Sequence, residues 1–383
     1  MKSNCPRGVY VHVPFCLSKC AYCDFYSCPG SETDKERYIV ALVKEIALRG
    51  ELHAGHAETL FFGGGTPSCL STEQIATVLS ECGRYFPLSP NAEVSMEVNP
   101  GTLSGLDLSG LHALGVNRLS IGLQASQDRL LTLLGRSHNL AMFNETFREA
   151  RQAGFDNISA DVIYGLPGQS LTDYAESLHH LIDSAVDHVS CYSLQVEPET
   201  PLWHPVMAGE IELPDDDEVV AMYELGRDTL RAAGYEQYEL SNFARPGKEC
   251  RHNLKYWRNE QYLGLGPAAA GFVSGRRYVN VADTEEYIRL LDQSSLPVGS
   301  CEMLSGKAHR AETAMLALRL LREGIDRDAY RRRYGHDPLV EYADPIKEWT
   351  EAGMIESDGT RVVLTDLGAL WANRVQASFL VSP

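Results

Sequence analysis

The sequence predicts an α/β fold: an open or partial (β/α)6 barrel, a C-terminal extension, and a small winged-helix-like α+β domain. Short β-rich runs alternate with amphipathic helical stretches through the first half of the chain. The alternation stops near residue 198. The last part reads as helices followed by a short hairpin.

The expected strands are residues 9–13, 59–62, 93–98, 118–121, 159–163 and 188–194. Helical stretches between them include 34–49, 71–85 and 140–153. Alternation of this kind implies parallel pairing through right-handed crossovers, with ligands at the carboxyl ends of the strands. Glu197-Pro198-Glu199-Thr200-Pro201 is a turn-rich break. Pro214-Asp215-Asp216-Asp217-Glu218 starts a helix, because carboxylates suit the positive end of the helix dipole. Residues 235–243 add a strand, and residues 262–272 are small and apolar, suited to close packing or a ligand wall. Helices at 311–322 and 342–353 precede a hairpin over 354–364 that turns at Asp358-Gly359. Thr365-Asp366 caps a last helix from Leu367. The expected domains are 1–200, 201–308 and 309–383.

Composition narrows the function classes. The 383 residues suffice for a large core. No run of eighteen apolar residues exists, so no membrane span is expected. The N-terminus, Met1-Lys2-Ser3-Asn4-Cys5-Pro6-Arg7, lacks the apolar core of a signal peptide. With ten cysteines and no export signal, reduced thiols in a cytoplasmic protein are expected. A net charge of −18 argues against a nucleic-acid partner, since phosphates need a basic face. Arg331-Arg332-Arg333 is the only basic run in the winged-helix-like part, which reads instead as a packing or docking domain.

Cys16, Cys20 and Cys23 carry most of the chemistry. They stand as Cys-x3-Cys-x2-Cys, just after the first strand. Three close thiolates can hold three corners of a cubane iron–sulfur cluster and leave one iron open. A structural zinc site is the competing reading, but no second Cys or His pair follows at finger-like spacing. A disulfide pair or buried free thiols are the others.

The triplet, with Tyr22 before its last cysteine, resembles the radical S-adenosylmethionine (SAM) superfamily. That resemblance implies a [4Fe–4S] cluster on Cys16, Cys20 and Cys23, with SAM on the open iron. Gly63-Gly64-Gly65-Thr66-Pro67-Ser68 follows the second strand, as a SAM-contacting segment would. The match extends through Glu97-Val98-Asn99-Pro100, Arg118–Gln124 and Asp161–Gln169. It narrows to the oxygen-independent coproporphyrinogen oxidases and their relatives, the HemW heme chaperones. By that resemblance, SAM contacts come from Tyr10, Gly64, Gly65, Thr66, Glu97, Gln124, Arg136 and Asp161. Carboxylates can take ribose hydroxyls or the ammonium, and an arginine can pair with the SAM carboxylate.

Two features separate the branches. Oxidases continue the triplet with Cys-x-Cys; here Cys23-Asp24-Phe25 has Phe25, as in the chaperones. Oxidases also carry a longer N-terminal arm, for which the few residues before Tyr10 leave no room. His252-Asn253-Leu254-Lys255-Tyr256-Trp257 matches the chaperones' heme signature. It implies heme contact by His252, Tyr256 and Trp257, with Arg251, Lys255 and Arg258 suited to propionates. One departure is Ala270, where the family usually has a histidine. The expected function is heme transfer to apo-hemoproteins, among them respiratory enzymes at the membrane, with a homodimer as a further partner state. The rival is an oxygen-independent coproporphyrinogen III dehydrogenase, which oxidatively decarboxylates propionates to vinyls.

Overall fold

In the computed structural model, residues 7–380 are described. The N-terminal reading, made on residues 1–7, lies outside them except for Arg7. The chain opens with six strands: β1 (Arg7–Val13), β2 (Ala57–Gly64), β3 (Leu88–Val98), β4 (Arg118–Gln124), β5 (Ile158–Tyr164) and β6 (His188–Ser193). They pair parallel in chain order. All six expected strands are present. β3 starts earlier than expected, because its first residues, 88–91, are mostly exposed and carry no alternating pattern.

The sheet does not close on itself. Six more strands extend it: β7 (Glu236–Glu239), β8 (Asn242–Ala244), β9 (Tyr262–Leu265), β10 (Ala270–Val273), β11 (Arg276–Asn280) and β12 (Val298–Met303). The full order is β12-β11-β10-β9-β1-β2-β3-β4-β5-β6-β8-β7. The strand expected at residues 235–243 is therefore a hairpin, β7–β8. The small apolar segment at 262–272 is two strands joined by a turn. Gly264 is required there, since a Cβ would strike the Ala270 carbonyl. Gly266 sits at φ +98°, facing the His12 carbonyl.

Helices begin where capping side chains permit. Ser31, Ser71, Ser170 and Asp215 each form a capping box at the start of a helix. Val9, Val11 and Val13 are fully buried in the main core, with Phe62, Met96, Ile121 and Val162 from the next four strands. A second core lies among residues 314–379, joined by Leu240 from the β7–β8 turn. That region holds helices Gly306–Ala317, Arg327–Tyr334 and Ala343–Glu351 and a small sheet. The sheet is β13 (Ile325–Asp326), β14 (Ile355–Ser357) and β15 (Arg361–Leu364), with β14–β15 forming the expected hairpin. The helix expected to reach residue 322 ends at Ala317. A tertiary bond competes: the Leu321 N–H donates to the Tyr238 carbonyl on β7 (3.2 Å).

One buried ionic network ties the β9–β11 extension to the helix Glu32–His53. The Glu45 carboxylate accepts from Arg49 Nε (3.1 Å), Asn280 Nδ2 (2.8 Å), the Gly266 N–H (2.8 Å) and Tyr287 Oη (2.8 Å). Every acceptor position is used, which is how a charge survives full burial. Glu45→Ala leaves the Arg49 guanidinium buried without its counter-charge. The expected loss is roughly 3–5 kcal/mol in urea unfolding; a loss below about 1 kcal/mol would show that this network does not anchor the extension.

Candidate cofactor site

The carboxyl ends of β1–β6 surround a cavity of about 520 Å³. Its wall includes Cys16, Cys20 and Cys23, which the loop after β1 brings to the mouth. That loop is fixed at several points. The Cys28 N–H donates to the Pro14 carbonyl (2.8 Å), and the Cys16 N–H to the Cys28 carbonyl (3.1 Å). The Ala21 N–H reaches the Leu134 carbonyl (2.9 Å), and the Ala21 carbonyl receives the Leu202 N–H (2.8 Å). One loop thus spans from β1 to segments beyond β4 and β6.

The glycine run lies against this loop. The Gly65 N–H donates to the Val13 carbonyl (2.8 Å), and a Cβ at Gly65 would stand 3.1 Å from Cys16 Sγ. Thr66 Oγ1 shares a hydrogen bond with Cys16 Sγ (3.3 Å) and accepts from Asn99 Nδ2 (2.9 Å). Arg136 bonds Asn99 Oδ1 through Nη2 and approaches Cys20 Sγ through Nη1 (3.6 Å). Its Nε is buried with no partner. Gln124 is held at φ +69°, a strained conformation for a side-chain-bearing residue, at an irregularity in β4–β5 pairing. A Cβ at Gly122 would crowd Gln124 Nε2 at 2.6 Å.

Glu97 and Asp161 form the acidic part of the wall. Burial, then the neighbouring Asp161, pushes the Glu97 carboxyl up to about 8, while the Gly64 N–H pulls it the other way. Burial also raises Asp161, opposed by hydrogen bonds from Ser190 and Ser120 and by the Arg118 charge. Two adjoining carboxyls that resist ionising together would ionise more readily beside a cationic occupant. Burial raises the Cys23 thiol too.

Nine described cysteines are free, and none forms a disulfide. The three thiols do not converge on a point: among the described residues no three His, Cys, Asp or Glu side chains close on a single ion. The corner ligands of a cubane are spread around a larger group, unlike those of one tetrahedral zinc. The Gly65 cradle, the free thiols and the unpartnered Arg136 Nε fit a thiolate-ligated cluster with an amino-acid-bearing cofactor beside it.

A smaller cavity, about 190 Å³, adjoins the first and shares Glu97, Ser120, Asp161 and Tyr192 with it. Tyr10, His252 and Tyr256 face this second space. Tyr10 is thus set deeper in the barrel than the other expected SAM contacts, its hydroxyl on His12 Nδ1 (3.1 Å). His252 is fully buried, with both ring nitrogens engaged: Nδ1 with Thr59 Oγ1 (2.8 Å) and Nε2 with Tyr256 Oη (2.7 Å). Burial, then the Lys255 and Arg118 charges, lowers its pKa to about 3, so it is neutral near pH 7. Trp257 lies elsewhere, with the Arg319 guanidinium 4.2 Å from its ring centre. The basic island is already committed. Lys255 pairs with Glu58 (2.6 Å) and Glu260 (3.0 Å), Arg258 with Glu323, and Arg251 Nη1 donates to the Asn91 carbonyl.

Asn99, Ser120 and Tyr192 line the main cavity without having been singled out. Asn99 was legible, standing two residues after Glu97 on the same strand end. Ser120 stood within the matched Arg118–Gln124 segment, and Tyr192 gave no signal beyond its strand.

Residues 10–181 match the Radical SAM superfamily, and residues 304–371 match the HemN C-terminal domain. The heme chaperone HemW of Mycobacterium tuberculosis is 38% identical over 383 residues, covering 98% of this chain and 95% of that protein. The chain belongs to the HemW heme chaperone family of the radical SAM superfamily. The HemW protein of Bacillus subtilis is 36% identical and covers 98% of this chain and 99% of its own length. Among solved structures, the coproporphyrinogen III oxidase HemN of Escherichia coli superposes with a TM-score of 0.83 over 98% of this chain and 90% of that one. At 23% identity that likeness speaks for the fold alone.

Cys20→Ser is expected to abolish cluster assembly: after anaerobic reconstitution, iron and sulfide should fall to background and the brown absorbance should vanish. Full iron and sulfide would remove Cys20 from the ligand set. Glu97 gives a pH prediction. A carboxyl raised on folding holds its proton in the folded protein and loses it when unfolded, so its contribution to stability falls as pH climbs from 4.5 towards 8. The melting temperature of the cofactor-free protein should therefore drop more steeply between these pH values than that of Glu97→Gln. Parallel curves would mean Glu97 is ionised throughout.

Proposed function

We propose that this protein is a heme chaperone that binds heme and a SAM-ligated [4Fe–4S] cluster and passes heme to apo-hemoproteins such as respiratory enzymes. The observation that carries the reading is near-full-length similarity to proteins named heme chaperone HemW, at 38% and 36% identity. Cys16, Cys20 and Cys23 would hold the cluster. Arg136 would pair with the SAM carboxylate, and Glu97 and Asp161 would take its ammonium or ribose hydroxyls. Gly64, Gly65 and Thr66 would let backbone lie against the methionine moiety, with Gln124 and Tyr10 completing the contacts. When bound, these groups supply one-electron reducing chemistry.

Heme contact is proposed for the segment with His252, Tyr256 and Trp257. For His252 to ligate iron it must give up its bond to Thr59 or Tyr256. A cytoplasmic location belongs to the same reading, with membrane association only through clients, as does a homodimer. Among the described residues no helix is long and apolar enough to cross a membrane. The domain division at residues 200 and 308 is likewise proposed, supported at its second boundary by the separate core among residues 314–379.

Position 25 favours the chaperone over the dehydrogenase. Phe25 lines the cavity mouth and is 63% exposed, where the oxidases supply a cysteine. Cys28 does not replace it; its thiol lies 3.9 Å from Thr284 Oγ1. Anaerobically reconstituted protein, titrated with heme and separately given coproporphyrinogen III, SAM and a reductant, should bind heme stoichiometrically and release no vinyl product. Decarboxylation to protoporphyrinogen IX would establish the dehydrogenase instead.

A further inference from the structure

We propose that heme lies in the groove between the helix Arg251–Trp257 and the C-terminal domain, outside the barrel; the inference rests on the heme-chaperone reading and gives it a site. The helix has two faces. His252 and Tyr256 point into the barrel interior, and Leu254 and Arg258 line the groove on the other side. Each pair is four residues apart, as side chains on one helical face are.

The groove encloses about 1150 Å³, more than the roughly 300–1,000 Å³ of pockets for drug-sized ligands. By volume it has room for a porphyrin. Its floor is apolar and aromatic, with Leu254, Ala317, Leu320 and Tyr330 all buried. Arginines stand around it: Arg258, Arg322, Arg333 and Arg361. They face four carboxylates (Glu249, Glu260, Glu323 and Asp326), so the groove is balanced in a chain with 52 acidic and 34 basic residues.

Two of these arginines are already in exposed ion pairs, Arg258 with Glu323 and Arg322 with Glu236. Arg333 is not. It donates to the carbonyls of Arg258 and Asn259, at the end of the motif helix, and has no ion-pair partner among the described residues. Arg361 donates to the Arg322 carbonyl and makes one exposed contact with Asp358 (3.4 Å). Both side chains are exposed and present N–H groups suited to carboxylates. An apolar floor with arginines at its edge matches a flat macrocycle carrying two propionates. The barrel interior offers less: the 520 Å³ cavity is given to the cluster and SAM in the reading above, and the inner one is about 190 Å³, with both of its histidines, His188 and His252, engaged in internal hydrogen bonds.

Ala329 is exposed on the groove wall. Ala329→Trp places a large ring in the groove from its exposed wall, and the double change Arg333→Glu, Arg361→Glu reverses two of its four arginine charges. Full-length protein, reconstituted with its cluster, is titrated with hemin by Soret absorbance. Iron-free protoporphyrin IX serves as competitor, and melting temperature, iron and sulfide as controls. Each variant should bind hemin about tenfold more weakly than wild type, with the controls unchanged. Protoporphyrin IX should compete, since the groove holds the ring face and the propionates. If wild type binds hemin and both variants bind it equally well, the groove is not the site and the chaperone reading stands. If only His252→Ala weakens binding, the site returns to the barrel interior and the groove is excluded. If wild type binds no hemin, the chaperone reading and this inference fall together.

Discussion

The close approach of the Gly64–Gly65 backbone to the end of β1 is the constraint on which the rest of the site depends. It places a main-chain hydrogen bond on Val13 and leaves no space for a side chain beside Cys16. The cysteine loop is therefore pressed onto the strand ends rather than left to solvent. From there Thr66 touches Cys16, Asn99 touches Thr66, and Arg136 bridges Asn99 and Cys20. Four chain segments are coupled through one run of polar contacts.

Beneath that cavity the barrel interior is unusually polar. Arg118 is 2% exposed, near Glu93, Asp161 and Cys250. The Glu93 carboxylate accepts the N–H groups of Arg251 (2.8 Å) and His252 (3.0 Å). It thereby satisfies two open donors at the start of the motif helix and sits at the positive end of its dipole. The histidine motif is fixed by the barrel, and the barrel floor is closed by the motif. Glu97 belongs to both cavities, which makes it the shared wall between the cavity of the three cysteines and the His252–Tyr256 pair.

The C-terminal domain is joined to the barrel by unlike bonds. Leu240 enters its core, Leu321 hydrogen-bonds the β7 backbone, and Arg319 reaches the buried Glu239 at 3.1 Å while covering Trp257. A packed contact of this kind encloses the groove and sets the outer face of the motif helix. It also explains why Trp257, adjacent to Tyr256 in sequence, faces a different environment: successive helical residues point about 100° apart.

The sequence by itself determined the six parallel strands, the main helix starts and the set of residues at the strand carboxyl ends. These depend on local pattern: alternating apolar runs, capping side chains, and motifs whose spacing survives any packing. Cys16, Cys20, Cys23, Gly64, Gly65, Thr66, Glu97, Gln124, Arg136 and Asp161 meet in one cavity because parallel topology delivers every strand end to one face. Tertiary structure alone decided the rest. Residues 262–272 became paired strands because Gly264 and Gly266 admit another backbone. The helix from 306 stopped at Ala317 because Leu321 found a partner more than eighty residues away in sequence. Asp161 and Glu97 became neighbours, His252 was sealed by Thr59 and Tyr256, and the basic island was neutralised by Glu58, Glu260 and Glu323. A residue's chemistry is written locally, but burial and pairing depend on what the fold brings against it from elsewhere in the chain.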